Sequence, residues 1–333
     1  LSKVRLSIPN TNSRRGGINM TTSKQKKREY ATKKNAEGRE AWLATIEEGI
    51  RSNNVPWRKP WKGGVGGGMP TNIKSKRAYR GGNIWGLWVR GMLEGWTDMR
   101  FGTRKNLIEK GYSVKGLKNG TGNYVVYFKP SKYTVENDDG EMEEKRSYLS
   151  RWYEVWSVEQ CEDYKKPETE QPSEAVPTHE MMEYFNTYTE SQDSLTIKRG
   201  GGRAYYNSKE DIIGLPEHEG FTDSLGEVMT SFHEAAHSTG HGTRLGRPLG
   251  NGFGSSAYAF EELIAEMTSM LTVLSLGGDY DPDLVHEEHA NNTAYLKHWL
   301  AACKEDNGKA LSLAFSDAQK ATDYILDTLE ELE

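Results

Sequence analysis

The chain is poor in cysteine: it has only Cys161 and Cys303 in 333 residues. Neither has a partner at ligand spacing. A disulfide framework is excluded, and both are expected to be core thiols in a reducing compartment. Long apolar runs are also missing. No stretch approaches the roughly 20 residues that a membrane helix needs, and the start lacks a signal-peptide core. These absences predict a cytoplasmic protein that makes no membrane contact. Acidic residues are scarce in one half only. Residues 1–166 hold 18 acidic against 33 basic side chains, a surplus of 15 positive charges. Residues 167–333 hold 30 against 10, a surplus of 20 negative charges. Tryptophan follows the same divide, since Trp299 alone of nine lies beyond residue 156. Such asymmetry predicts two domains with different partners.

The sharpest local signal is Ser231-Phe232-His233-Glu234-Ala235-Ala236-His237, which is H-E-x-x-H. Residues four apart on an α-helix sit about 40° apart around the axis and roughly 6 Å along it. His233 and His237 can therefore pinch one metal ion, with Glu234 beside them as a base for water. Leu225, Val228, Met229, Phe232, Ala235 and Ala236 make an apolar stripe at helical spacing. Ser224 and Glu227 read as a capping box, and Gly240 as a stop. A zinc site needs a third protein ligand. The next helix, about Ala257 to Leu276, offers Glu261, Glu262 and Glu266. Glu262 is assigned to the metal and Glu266 to orienting a histidine, which is the gluzincin arrangement. His241, just past the first helix, is two places short of a metzincin third histidine. It is expected near the cleft or as a loop residue.

Residues 1–28 read as a basic tail without structure, within which Met20 is a candidate start. The first domain is assigned to 29–164. It opens with a helix from Thr32 to Ile50 and contains Trp57-Arg58-Lys59-Pro60-Trp61, where prolines exclude regular helix. The stretch Pro70 to Asn83 reads as a basic loop or hairpin that leads to an apolar helix from Ile84 to Met92. Arg100 to Lys110 reads as another helix, with Phe101, Leu107 and Ile108 inward. Tyr124 to Phe128 and Ser147 to Ser157 read as paired strands, joined by an acidic loop. Residues 165–178 are a linker, and 179–333 the second domain. There a helix from His179 to Glu190 precedes a hairpin, Arg203–Asn207 with Asp211–Pro216. Helices from Asp281 to Lys304 and Ala310 to Leu329 close the chain. The fold class is α+β in two domains: a small sheet first, then a mainly helical metal domain.

Cations interleaved with aromatics in the first domain suit single-stranded nucleic acid, where indoles and phenols stack on unpaired bases. The competing account is a tryptophan-rich core under an ordinary soluble surface.

Taken together, these residues resemble the ArdC-like antirestriction proteins of plasmids and phages. The resemblance rests on Pro56 to Trp61, Tyr79 to Asn83, the Val114-Lys115-Gly116 turn and the strand from Trp152. In the second half it rests on Ala204 to Pro216, His233 to Arg247, Tyr258 to Glu266 and Ala318 to Ala321. Gly82 departs from the family's larger apolar residue, and Lys118-Asn119 from its acidic-then-Lys pattern. The resemblance implies a single-stranded-DNA-binding domain joined to a zincin-like metallopeptidase domain. It also implies one Zn2+ per chain on His233, His237 and Glu262. The expected DNA contacts are Trp57, Arg58, Lys59, Trp61, Lys74, Lys76, Arg77, Tyr79, Arg80, Asn83, Lys115 and Lys118.

The expected chemistry is peptide hydrolysis by metal-activated water, with Glu234 as general base. Tyr258, His241 and Tyr206 are candidates for steadying the developing oxyanion. A host restriction protein or another protein is the expected target. One alternative is a non-catalytic protein that shields DNA and keeps a structural metal. Another is a primase-associated DNA-binding protein, although no polymerase-type carboxylate cluster is present.

Overall fold

The computed structural model describes residues 18–52, 54–56, 68–136, 142–166, 175–249, 256–281 and 308–332. The segment Trp57–Trp61 and the helix expected over 281–304 therefore lie almost wholly outside the described residues. Among the described residues, no helix is long and apolar enough to cross a membrane.

The architecture is α+β in two parts, as expected from the sequence. In the first part, α1 (Ile18–Arg51) and α2 (Gly82–Glu94) pack on a small sheet. Its strands are β1 (Thr71–Asn72), β2 (Arg100–Gly102), β3 (Asn123–Glu136) and β4 (Met142–Ser157), in spatial order β1-β2-β4-β3. Helix α1 begins at Ile18, so part of the tail expected to lack structure is helical. Lys, Gln, Arg and Glu are good helix formers that need no burial. They extend the turn in which Trp42 and Ile46 are packed.

The helix expected from Arg100 is a correction. Arg100–Gly102 is strand β2, with Phe101 opposite Ser157. Helix α3 (Arg104–Glu109) starts only after Thr103, whose hydroxyl accepts from the Asn106 N–H and caps it. Phe101 and Leu107 are buried as expected, but Ile108 is exposed.

The second part holds α4 (Thr178–Glu190), α5 (Ser224–Ser238), α6 (Ser256–Ser275) and α7 (Lys309–Glu330). A three-stranded sheet of β5 (Thr196–Arg199), β6 (Tyr205–Asn207) and β7 (Ile212–Leu215) lies beside them in the order β5-β7-β6. The expected hairpin is β6–β7, which is antiparallel. β5, parallel to β7, was not expected. Its four residues alternate between exposed and half-buried and carry only Ile197 as an aliphatic residue.

The core runs through both parts. Trp42 of α1 lies against α2 because Gly86 has no side chain there. A Cβ on Gly86 would come within 2.4 Å of Trp42 Nε1. Phe315 of α7 meets Trp42 edge-on at 5.8 Å between ring centroids and stacks on Trp85 at 5.6 Å. Aromatic pairs at such separations contribute about 0.5–1.5 kcal/mol beyond area burial.

Candidate metal centre

Helix α5 buries Val228, Met229, Phe232, Ala235 and Ala236, and this face carries the histidines into the interior. Its cap is Asp223, one residue earlier than expected, whose Oδ1 accepts from the Gly226 N–H at 2.8 Å. Glu227 serves elsewhere: it lies 2.7 Å from Arg199 and 2.8 Å from His218.

His233, His237 and Glu262 offer ligand atoms that all lie within 4.8 Å of one another. His233 Nε2 is 3.5 Å from one Glu262 oxygen, and His237 Nε2 is 3.5 Å from the other. Ligands about 2.1 Å from a tetrahedral ion stand roughly 3.4 Å apart. Two imidazoles and a carboxylate at these spacings fit one divalent cation. His233, Glu234 and Glu262 are all buried. Burial alone would lower the pKa of His237. The carboxylates of Glu262, Glu261 and Glu234 overcome this and hold it well above the ordinary histidine value. A cation bound there would take the place of that proton.

The carboxylate behind His237 is that of Glu261, 3.3 Å from Nδ1, in the role expected of Glu266. Glu266 is also buried, one turn further along α6. Arg247 holds Glu261 with a fork, at 3.0 Å through Nε and 2.6 Å through a terminal nitrogen. The same guanidinium donates to Thr239 Oγ1 and to the Ala236 carbonyl at the end of α5. Burial would raise the Glu261 pKa, but the bonds from His237 and Arg247 bring it below the ordinary value. Sequence reasoning missed this pair. No sequence signal announces it, because the contact depends on where Arg247 returns in space.

A cavity of about 490 Å³ opens over the site, lined by Glu234, His237, Tyr258, Glu261, Glu262 and strand β6. Tyr206 lines it too, but its hydroxyl is already engaged: it donates to Asp211 at 2.7 Å and accepts from Arg244 at 3.1 Å. Arg244 and Asp211 form a buried ion pair. Burial would raise the Asp211 pKa. Bonds from Arg244, Ser194 and Tyr206 instead lower it to about 2. His241 bonds Thr243 at 2.8 Å and lies 3.9 Å from Asp211, beside this pair.

The expected DNA contacts are spread over several places. Lys76, Arg77, Lys115 and Lys118 are exposed on two turns. Lys74 is paired with Glu109 at 2.7 Å. Arg80 is paired with Asp323 of α7, and the adjacent Gly81 N–H donates to Gln319 at 3.0 Å. The Tyr79 hydroxyl accepts from Asn72 at 3.2 Å, and its ring packs edge-on against Phe101. Asn83 binds the Val126 backbone twice, donating at 2.8 Å and accepting at 2.7 Å. Trp57, Arg58, Lys59 and Trp61 lie outside the described residues.

Residues 20–156 match the N-terminal domain of anti-restriction factor ArdC, and residues 186–316 match a zincin-like metallopeptidase domain. The chain is 30% identical over 287 residues to protein y4eC of Sinorhizobium fredii (strain NBRC 101917 / NGR234). That match covers 85% of this chain and 88% of y4eC. It is also 30% identical over 298 residues to DNA primase TraC of Escherichia coli. Here it spans 84% of this chain but 26% of the primase. The Mn(II)-bound crystal structure of antirestriction ArdC protein from plasmid R388 matches with a TM-score of 0.65 and 28% identity, covering 89% of this chain and 99% of that one. The metal-free form matches with a TM-score of 0.63, over 87% and 98% of the two chains.

Proposed function

The chain belongs to the ArdC-like family of antirestriction proteins, and on that premise we propose that it binds single-stranded DNA through its first half and hydrolyses a peptide bond with its second. The supporting observation for the second claim is the convergence of His233, His237 and Glu262 from two helices beneath one cavity. These three would hold one zinc ion, the usual choice of two imidazoles with one carboxylate. Bound zinc supplies Lewis acidity for a carbonyl and lowers the pKa of water. Glu234 lines the same cavity and moves the proton, taking it from water and returning it to the leaving amine. Glu261 and Arg247 fix the His237 ring. Strand β6, at the edge of its sheet, would pair with an extended substrate. Tyr258, on the cavity wall, is a candidate oxyanion donor, while the Tyr206 hydroxyl donates to Asp211. The target would be a host restriction protein or another protein met on the same DNA.

Glu234→Gln tests this. The variant should retain zinc by metal analysis, while hydrolysis of a peptide library falls about 10²- to 10⁴-fold and protection of incoming DNA is lost. Full protection by a zinc-loaded Glu234→Gln protein would mean that the metal is structural and that the protein shields DNA without cleavage. The TraC match covers a minor part of that primase, so primer synthesis is not part of this reading.

A further inference from the structure

Strands β3 and β4 pair without a break from Asn123 opposite Val155 to Glu136 opposite Met142. Only the root of this ribbon belongs to the body of the sheet, since β2 meets β4 at Ser157 and Trp156 alone. Two asparagines fasten it at one level. On the β3 edge, Asn83 takes both backbone groups of Val126. On the β4 edge, Asn35 of α1 donates to the Ser150 carbonyl at 2.9 Å and accepts from the Trp152 N–H at 3.0 Å. Val126 and Trp152 face each other in the register. Beyond that rung the ribbon continues from Tyr127 opposite Arg151 to its tip at Met142. Ten residues at about 3.4 Å each give an arm roughly 30 Å long.

The first rungs past the clamp present aromatic and cationic groups to solvent. Tyr127 is 55% and Phe128 57% exposed, and Arg151, directly across from Tyr127, is exposed as well. Neighbouring residues on a strand face opposite ways, so Tyr127 and Phe128 offer one ring on each face. Further out, the backbone register runs through Lys132 opposite Arg146 and Tyr133 opposite Lys145 to Glu136 opposite Met142. Helix α1, held at Asn35, carries the exposed Lys26, Lys27, Arg28 and Lys33 in the turns before that contact. Exposed aromatics beside cations, in a half of the chain with 15 surplus positive charges, complement a chain of phosphates bearing unpaired bases.

We propose that the base of this ribbon, Tyr127, Phe128 and Arg151, is where the chain grips single-stranded nucleic acid, with the rings stacking on bases and the guanidinium on a phosphate. This rests on the reading that the first half binds single-stranded DNA, but assigns the grip to residues that neither composition nor motif indicated.

The test is fluorescence anisotropy of a labelled oligothymidylate of about 20 nucleotides with the full chain, at several salt concentrations. The double variant Tyr127→Ala/Phe128→Ala should bind at least about tenfold more weakly, since each stacked base is worth a factor of roughly 5 to 150. Arg151→Ala should flatten the slope of log affinity against log salt by about 0.7, one phosphate on a single strand. Both variants should melt as the parent does, because the altered side chains are exposed. If the parent binds the oligonucleotide and the double variant matches it, the ribbon assignment is wrong while the DNA-binding reading survives. If the parent fails to bind the oligonucleotide, or binds phosphatidylserine vesicles in its place, both are wrong.

Discussion

The two halves of the chain carry their chemistry in opposite ways. In the second half the ionisable groups are inside: His233, Glu234, Glu261, Glu262, Arg244 and Asp211 all lie out of solvent. In the first half the core is tryptophan and aliphatic, and the exposed charges among the described side chains stand on turns, on α1 and, as Arg151, at the base of the ribbon. A buried charge must meet its partner at fixed distance or cost several kcal/mol. A buried site therefore leaves spacing rules in the sequence. An exposed binding surface has no such obligation, so its sequence reveals a composition and little else.

The sharpest way to break this contrast is Arg247→Ala. If burial makes the second half unforgiving, stranding Glu261 should cost about 3–5 kcal/mol in urea unfolding. Zinc affinity, measured by competition with a chromophoric chelator, should also drop about 10- to 100-fold because the His237 ring loses its support. A change below about 1 kcal/mol, the range of exposed pairs, would mean that the pair is wetter than it looks.

Acid sharpens the same point. The Asp211 carboxyl has a pKa of about 2 in the folded chain, against an ordinary 3.8. A depressed carboxyl stabilises above the unfolded value and loses that contribution as the pH falls toward 2. The loss should be about 2 kcal/mol between about pH 4 and pH 2. In Asp211→Asn the pH dependence over this window should shrink by that amount, as read by denaturant titrations at each pH.

The first half should be more forgiving. Asn83→Ala removes two bonds to Val126 and should cost about 1–3 kcal/mol, with the loss seen as faster amide exchange along β3. The smallest effect is expected from Thr103→Ala at the cap of α3, about 1 kcal/mol in thermal melting.

The same contrast explains what could be read beforehand. The H-E-x-x-H helix was legible because two histidines four apart beside an apolar stripe have few other uses. The place of Glu262 beside the two histidines was legible because a carboxylate on the next helix was expected to face them. The β6–β7 hairpin stood out through Ile212 and Ile213 beside turn residues. The roles of Glu261 and Arg247 were not legible, because they depend on where a loop returns in space. Arg100 and Phe101 read as the start of a helix because β2 is only three residues long, and a neighbour far along the chain, Ser157, makes Phe101 part of a strand. Tyr79, Arg80 and Asn83 read as DNA contacts by charge and family pattern. In the structure they join elements of the protein to one another.

Phe315, set between Trp42 and Trp85, has a consequence for how the molecule comes apart. A ring from the last helix completes the core of the first half, so neither half can open without exposing the other's aromatic surface. Calorimetry should then record one endotherm, with calorimetric and van't Hoff enthalpies in agreement, in place of the two steps that so uneven a charge distribution invites. During synthesis, the first half must wait for the C-terminal helix to emerge before its tryptophans are fully covered.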